Sequence, residues 1–186
     1  MIWIAVVLVL SIIVSLARGG KLSNLAEMHV QAWWLLFVGF GLQVVANALP
    51  TRQSTLAVAA LLTSYVVLLL VVWLNRTEPG LWIAGLGILM NFTVIAANNG
   101  MPVLMEAARV AGGSGDLALG AKHVILDDST RLPFLGDVIP LPRNVISLGD
   151  VFLAVGLGVF LEVQLRQPLR LFRHRVQAVP GSAADT

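Results

Sequence analysis

The sequence predicts an all-α integral membrane protein with five transmembrane helices and a long extracytoplasmic loop between the fourth and the fifth. Three observations support this fold class. Of the 186 residues, 58% are hydrophobic and only 12% are charged, whereas a soluble domain has roughly 25% charged residues. Five apolar stretches approach the about 20 residues that a helix needs to cross a bilayer. Backbone polar groups inside lipid must be paired within the protein, which favours helices for these stretches.

The first four apolar stretches follow one another closely, and a long segment separates the fourth from the fifth. The stretches are Ile2–Ala17, Ala32–Leu49, Thr55–Leu74, Leu81–Ala97 and Ile146–Leu165. No basic segment precedes the first stretch, so we interpret it as a retained span and not as a cleaved signal peptide. Together the stretches predict a transmembrane helical domain over residues 1–165 and a basic cytoplasmic tail over residues 166–186.

The distribution of lysine and arginine predicts the orientation, because these residues accumulate in cytoplasmic loops. With five spans, seven of the 12 basic residues lie on the side of the C-terminus and five on the other side. Four tryptophans fall at the span ends on the side of the C-terminus: Trp33, Trp34, Trp73 and Trp82. Indole rings favour the headgroup region of a membrane. We therefore expect a multi-pass protein of the bacterial cytoplasmic membrane, with its N-terminus extracytoplasmic and its C-terminus cytoplasmic.

The segment between spans four and five, residues 98–145, is the largest part predicted outside the membrane. It contains a predicted short helix at Met105–Val110, followed by Ala111–Gly120, a stretch with four glycines that we expect to be mobile. Pro140 and Pro142 then prevent a helix from running through and predict an extended link to the last span. Loops of this length in small proteins often act as lids or binding elements.

Amide side chains interrupt two of the apolar spans. Gln43 and Asn47 in span two, and Asn91 and Asn98 in span four, have spacings that place each pair on one helix face. Hydrogen bonding between helices accounts for such residues in many membrane bundles.

Composition and motifs narrow the chemistry. The chain has no cysteine, which excludes thiolate catalysis, disulfides and cysteine metal sites. A net charge of +2, carried by scattered basic residues, does not favour nucleic acid as a partner. The G-x-S-x-G, H-E-x-x-H, P-loop and S-x-x-K signatures are absent. We predict no cofactor and no metal, and expect the lipid bilayer and a membrane-anchored peptide or lipid-linked substrate as partners.

Two aspartates at the ends of the proline-containing link carry the main chemical signal. The tetrapeptide Leu-Gly-Asp-Val occurs twice, 13 residues apart, and contributes Asp137 and Asp150 in what we expect to be similar settings. An ionisable residue at the start of a membrane span is a functional hypothesis by default. Of two close carboxyl groups, one can take a proton from water while the other donates one, so the pair predicts a hydrolase. The predicted substrate-binding or orienting residues are Asn98, Asn99, Asn144 and Arg131.

The C-terminal third resembles signal peptidase II, the lipoprotein signal peptidase, which is a membrane aspartic protease. In that family a span ends in Gly-Asn, a Val-Val-Asp-Phe-like segment carries one catalytic Asp, and Phe-Asn-x-Ala-Asp carries the second. Here Asn-Asn-Gly from Asn98 ends a span, Gly-Asp-Val-Ile surrounds Asp137, and Val-Ile-Ser-Leu-Gly-Asp ends at Asp150. Ser147 and Gly149 stand where the family has Asn and Ala. The resemblance implies a peptidase that uses Asp137 and Asp150 as its catalytic pair.

Other interpretations of the same residues stay open. The whole chain resembles an uncharacterised family of bacterial five-span membrane proteins, which implies no function. Asp150 can serve as a helix N-terminal residue that the helix dipole stabilises, with Asp137 as a turn residue. A second hypothesis is a non-enzymatic protein that binds a lipid, an ion or a partner through the outer loop. A third hypothesis is a metal-dependent hydrolase of lipid-linked phosphates. Its candidate ligands are Asp127, Asp128, Asp137, Asp150 and His123.

Overall fold

The structure, a computed structural model, describes residues 2–27, 30–50, 54–112 and 122–166. Six α-helices and four β-strands are found in this part of the chain. The helices are α1 Ile2–Ala17, α2 Trp34–Ala48, α3 Ser54–Leu74, α4 Leu81–Asn98, α5 Met105–Val110 and α6 Leu148–Arg166. The strands are β1 Met101–Val103, β2 His123–Ile125, β3 Asp137–Leu141 and β4 Asn144–Ser147.

Each of the five apolar stretches is helical, and the predicted short helix has the bounds of α5. Three helices, α3, α4 and α6, are long and apolar enough to cross a membrane. Helices α1 and α2 are apolar but shorter, with 16 and 15 residues. The protein is therefore mostly helical, with three helices able to span a bilayer by length and composition. The tail after Arg166, and the glycine-rich stretch from residue 113 to 121, lie outside the described residues.

The prediction of an all-α fold is wrong, because the segment between α4 and α6 contains a small mixed sheet with the strand order β2-β1-β3-β4. Strand β1 runs parallel to β2 and to β3, with Val103 opposite both Ile125 and Asp137. Strands β3 and β4 form an antiparallel hairpin that turns at Pro142 and Arg143. Valine and isoleucine favour strands, and the prolines exclude a helix here.

The closest helix contact joins α4 to α6 and depends on glycine. A Cβ atom at Gly87 would collide with the carbonyl oxygen of Gly149 and the amide nitrogen of Leu153. A Cβ atom at Gly149 would collide with the side chain of Asn91. Small residues let membrane helices approach closely, so these glycines press the start of α6 against the middle of α4.

Polar contacts at the end of the bundle away from the sheet join α1 to α6. Glu162 accepts a hydrogen bond of 2.6 Å from Arg18 and lies 3.5 Å from Arg166. The exposed tryptophans of α2, α3 and α4 lie at this same end of their helices: Trp34, Trp73 and Trp82. The sheet covers the opposite end, above a buried apolar cluster that includes Leu61, Ile95 and Leu135.

Candidate functional site

A cavity of about 210 Å³ lies between the sheet and the ends of the helices. Its polar wall is formed by side chains of the helices α2, α3, α4 and α6, of the strands β2, β3 and β4, and of the residue that precedes β2. The polar lining residues are Gln43, Asn47, Tyr65, Asn91, Lys122, His123, Asp137, Asn144 and Asp150. The structure therefore brings the two predicted aspartates into one cavity, although they belong to different elements.

Asp137 is placed by the hairpin. It is the first residue of β3 and lies opposite Ser147, the last residue of β4, so the extended link returns the chain as the sequence predicts. The backbone carbonyl of Asp137 accepts a hydrogen bond of 3.0 Å from the amide of Leu104. Its residue exposure is only 9%. Within the described part of the chain, no hydrogen-bond donor contacts its carboxyl group.

Asp150 is held by hydrogen bonds at the start of α6. Its amide donates to the Ser147 hydroxyl at 3.0 Å, and its Oδ2 accepts from the Ser147 amide at 3.3 Å. This reciprocal arrangement is a capping box, which satisfies two amides of the first helical turn. The Asn91 amide donates to Oδ1 of Asp150 at 2.9 Å and accepts from the Ser147 hydroxyl at 2.8 Å. Asp150 therefore has a structural role, and its carboxylate has a fixed orientation.

The two copies of Leu-Gly-Asp-Val have different conformations. In the first, Asp137 and Val138 begin a strand. In the second, all four residues form the first turn of α6. The expectation of two similar settings is therefore wrong, because the backbone of each copy is set by its neighbours and not by the tetrapeptide.

Burial changes the protonation of the cavity residues outside the helices. Burial, and secondly the charge of Asp150, raise the pKa of Asp137 from 3.8 to about 7, although Lys122 opposes this effect. Burial, and secondly the charge of Lys122, lower the pKa of His123 to about 4. Burial also lowers the pKa of Lys122, against the attraction of both aspartates. Near neutral pH, His123 is thus uncharged and Asp137 retains a large protonated fraction.

The other predicted site residues are divided between the cavity and the surface. Asn144 lines the cavity, at the start of β4. Asn98 exchanges two hydrogen bonds of 2.8 Å with the backbone of Arg131, while Asn99 ends α4 with a left-handed backbone at φ +53°. Asn98, Asn99 and Arg131 do not line the cavity. Their contacts fix the chain as it leaves α4.

The ligands of the metal hypothesis are divided in the same way. His123 lines the cavity with Asp137 and Asp150, but Asp127 and Asp128 do not. Asp127 is exposed and accepts hydrogen bonds from the amide and hydroxyl of Ser129, which lower its pKa. Over the described ranges, no three His, Asp or Glu residues form a group suited to a metal ion.

Tyr65 and Lys122 are cavity residues that sequence reasoning missed. Tyr65, the single tyrosine of the chain, lies beside Asn91 and close to both aspartates. A lone tyrosine within an apolar span was a usable signal. Lys122 follows the glycine-rich stretch, and nothing in its neighbourhood indicates that the strand β2 brings it to the cavity.

Comparison with known proteins places the chain in a family. A model described as "Family of unknown function (DUF5317)" matches residues 27–162, which include the whole cavity. An uncharacterized protein from Thermotoga maritima is 27% identical over 161 residues, covering 82% of this chain and 88% of that protein. No solved structure gives a significant match. The predicted resemblance to an uncharacterised family is thus confirmed, and the chain belongs to DUF5317, a family of unknown function.

Proposed function

We propose that the protein is a membrane-embedded aspartic hydrolase, with a peptidase as the favoured class, and that Asp137 and Asp150 are its catalytic residues. The observation that supports this most is the meeting of the two aspartates in one polar cavity at the end of an apolar helical bundle. Ionisable residues with strongly shifted pKa values in a cavity are typical of functional sites, and Asp137 is such a residue.

The different surroundings of the two carboxyl groups assign their roles in the proposed reaction. Asp150 is the base, because both of its oxygens accept hydrogen bonds and it is oriented as a carboxylate. Asp137 is the acid, because burial and the charge of Asp150 raise its pKa to about 7 and no hydrogen bond from a described residue stabilises its ionised form. No hydrogen bond joins the two groups directly in that part of the chain, so the proposal places the attacking water between them.

The steps follow from these roles. Asp150 takes a proton from the water while the oxygen of that water bonds to the carbonyl carbon of the substrate. Asp137 gives its own proton to the carbonyl oxygen. The tetrahedral product then breaks its C–N bond. The amine leaves with the proton held by Asp150, and Asp137 recovers its own proton as the new carboxyl group forms. The reaction consumes one water and needs no cofactor.

The proposal includes the placement of the protein in the bacterial cytoplasmic membrane, with five spans and the sheet on the extracytoplasmic side. The exposed tryptophans and the basic residues Arg18 and Arg166 at the other end of the bundle support this orientation. A topology reporter fused to the C-terminus should behave as cytoplasmic. An external C-terminus would place the cavity on the wrong side for this proposal.

A second function is favoured by the capping box. The capping box explains the presence of Asp150 without any catalytic role. The same structure therefore also fits a protein that binds a lipid or a small polar ligand without hydrolysing it. In that case the cavity is a binding site, and its aspartates contact the ligand without exchanging protons with it.

The experiment is turnover of a library of membrane-anchored peptides in vesicles that contain the purified protein, with cleavage detected by mass spectrometry. We expect Asp137→Asn and Asp150→Asn each to reduce cleavage by roughly 100-fold or more, the usual effect of losing an acid or base. Asp127→Asn is the matched control, because this aspartate is exposed and outside the cavity. Full cleavage by either cavity variant would refute the pair, and recovery with a divalent cation would favour the metal hypothesis.

A further inference from the structure

The cavity that contains Asp137 and Asp150, which we call the aspartate cavity, is also lined by a lysine, Lys122. The backbone of this lysine is fixed beside the end of α4, because its carbonyl accepts a hydrogen bond of 2.7 Å from the amide of Met101. Both aspartates attract its ammonium group. The cavity therefore holds a basic group near the two proposed catalytic residues.

The Lys122 ammonium group has no described partner at contact distance. The ion pairs found in the described ranges both involve Glu162, at the other end of the bundle. The Lys122 side chain makes no hydrogen bond to a described residue, and its burial lowers its pKa. A partly buried group with three N–H donors is costly to the fold unless water or a ligand accepts those hydrogens.

Two amide side chains of the aspartate cavity are unused as well. Gln43 on α2 and Asn144 at the start of β4 both line it, and neither side chain hydrogen-bonds to a residue that the structure describes. Each amide adds two N–H donors to those of Lys122. Hydrogen bonds from a cation to a carboxylate or phosphate are the strong ones, so this set of donors favours a ligand with negatively charged oxygens.

The proposed hydrolysis restricts which anionic group fits. Its volume of about 210 Å³ is below the about 300–1,000 Å³ typical of sites for whole small molecules. The anionic group must therefore lie close to the amide that is cleaved. In a peptide, the terminal carboxylate is one residue from the last amide, and adjacent Cα atoms are about 3.8 Å apart. An internal stretch of peptide backbone carries no charge, and a phosphate head group has no amide at a fixed position beside it.

We propose that Lys122 binds the C-terminal carboxylate of a peptide substrate, so that the hydrolase removes the last residue of the chain. The inference rests on the hydrolase proposed above and names its substrate class. The last C–N amide bond breaks, the oxygen of one water joins the carbonyl carbon, and one hydrogen of that water ends on the released amine. The products are a peptide shortened by one residue and one free amino acid.

The test compares two labelled peptides of the same sequence with the full chain in phosphatidylcholine nanodiscs. One peptide ends in a free carboxylate and the other in an amide, which lacks the terminal charge. Fluorescence anisotropy measures their dissociation constants with the wild type and with Asp137→Asn, which should bind without hydrolysing. We expect the free acid to bind roughly 10- to 100-fold more tightly, the usual effect of one hydrogen bond to a charged group. With the wild type, mass spectrometry should detect loss of the last residue from the free acid only.

Substitutions of Lys122 assign the preference to its ammonium group. Lys122→Met keeps the length of the side chain and removes its charge, so it should bind both peptides equally weakly. Lys122→Arg keeps the charge and should retain a preference for the free acid. Arg109→Met is the matched control, because Arg109 is an exposed cation of α5 that does not line the cavity. Thermal melting checks that each variant folds, and the comparison of the two peptides with the wild type needs no substitution.

Three results would overturn the inference. The first is equal affinity of the wild type for the two peptides, or no binding of either. The second is a preference that persists in Lys122→Met, because the lysine would then act only as a counter-charge to the aspartates. The third is displacement of the free acid by inorganic phosphate at the concentration of the peptide, which would show a general anion site.

The result can be separated from that of the proposed function. Preferential binding of the free acid, without turnover by the wild-type protein, would sustain the carboxylate site and reject the hydrolase. Cleavage of both peptides within the chain, without release of the last residue, would sustain the hydrolase and reject the inference alone.

Discussion

Replacing Asp137 by Asn should change how the stability of the protein depends on pH. The two side chains have nearly the same size, so the substitution removes the titration without opening a cavity. Asp137 is 9% exposed, and its burial, followed by the charge of Asp150, raises its pKa from 3.8 to about 7. The folded state therefore binds a proton between pH 4 and 7 that the unfolded state has lost.

The sign follows from this difference in bound protons. Where the folded state binds more protons, the free energy of unfolding falls as pH rises. The contribution of Asp137 is thus highest below pH 3.8, the unfolded pKa, and is lost as pH rises to about 7. At 1.36 kcal/mol for each pKa unit, the full difference corresponds to about 4 kcal/mol. Asp137→Asn should remove this loss, so its advantage over the wild type grows with pH.

Thermal unfolding in a mild detergent, followed at a series of pH values from 5 to 8, measures the effect. The quantity to compare is the difference in melting temperature between variant and wild type, because other titrating groups cancel in it. Asp127→Asn is the control. Its pKa is lowered by hydrogen bonds from Ser129, so the stability it contributes is lost only as pH falls below 3.8, and its difference should be constant over this range.

A difference in melting temperature between Asp137→Asn and the wild type that does not change with pH would refute the raised pKa of Asp137. A difference that changes in the opposite direction would also refute it, since this would mean that the folded protein favours the ionised form. Either outcome would remove Asp137 as the proton donor of the proposed reaction.

Three further predictions concern the surroundings of the pair. The lowered pKa of His123, about 4 against 6.5, gives stability that is present above pH 6.5 and lost toward pH 4, so His123→Gln should gain relative to wild type as pH falls in the same melting experiment. Gly149→Ala introduces a Cβ against the Asn91 side chain, and denaturant titration should show a loss of about 1–3 kcal/mol, whereas an unchanged midpoint would contradict the close contact of α4 and α6. Asn91→Leu leaves Ser147 and Asp150 without their partner and should lower the free energy of unfolding by about 1–3 kcal/mol. Ser147→Ala should cause a loss of the same order. Because the two residues share a hydrogen bond, the loss in the double variant should differ from the sum of the two.

The positions of the helices were predictable because each depends on a long local pattern. Helix α1 has the predicted bounds, and α6 begins two residues after the predicted Ile146, where the Ser147 cap sets its start. A run of apolar side chains identifies such helices without knowledge of their neighbours. Sequence alone does not decide which of them cross the bilayer, since α1 and α2 are short of the usual length.

The sheet was not predictable for the opposite reason. Strands β1 and β2 have three residues each, too few to show alternation, and their pairing joins Met101 to His123 across the glycine-rich stretch. The same long-range pairing brings Lys122 to the cavity. Only the β3–β4 hairpin has a local signal, in the form of prolines and β-branched residues, and that part of the prediction holds as an extended link.

Asp137 supports the proposed chemistry more strongly than Asp150 does. A capping box explains why an acidic residue follows Ser147 by three positions in any helix of this kind, and Asn91 accounts for its remaining oxygen. No comparable explanation exists for Asp137, which is 9% exposed, faces the cavity together with Asp150 and accepts no side-chain hydrogen bond from the described residues. Such a group lowers the stability of the fold, and Asn or Ser at the start of β3 would avoid that loss. A destabilising ionisable group that faces a cavity, opposite a carboxylate of fixed orientation, is the arrangement expected where a proton must be held and transferred.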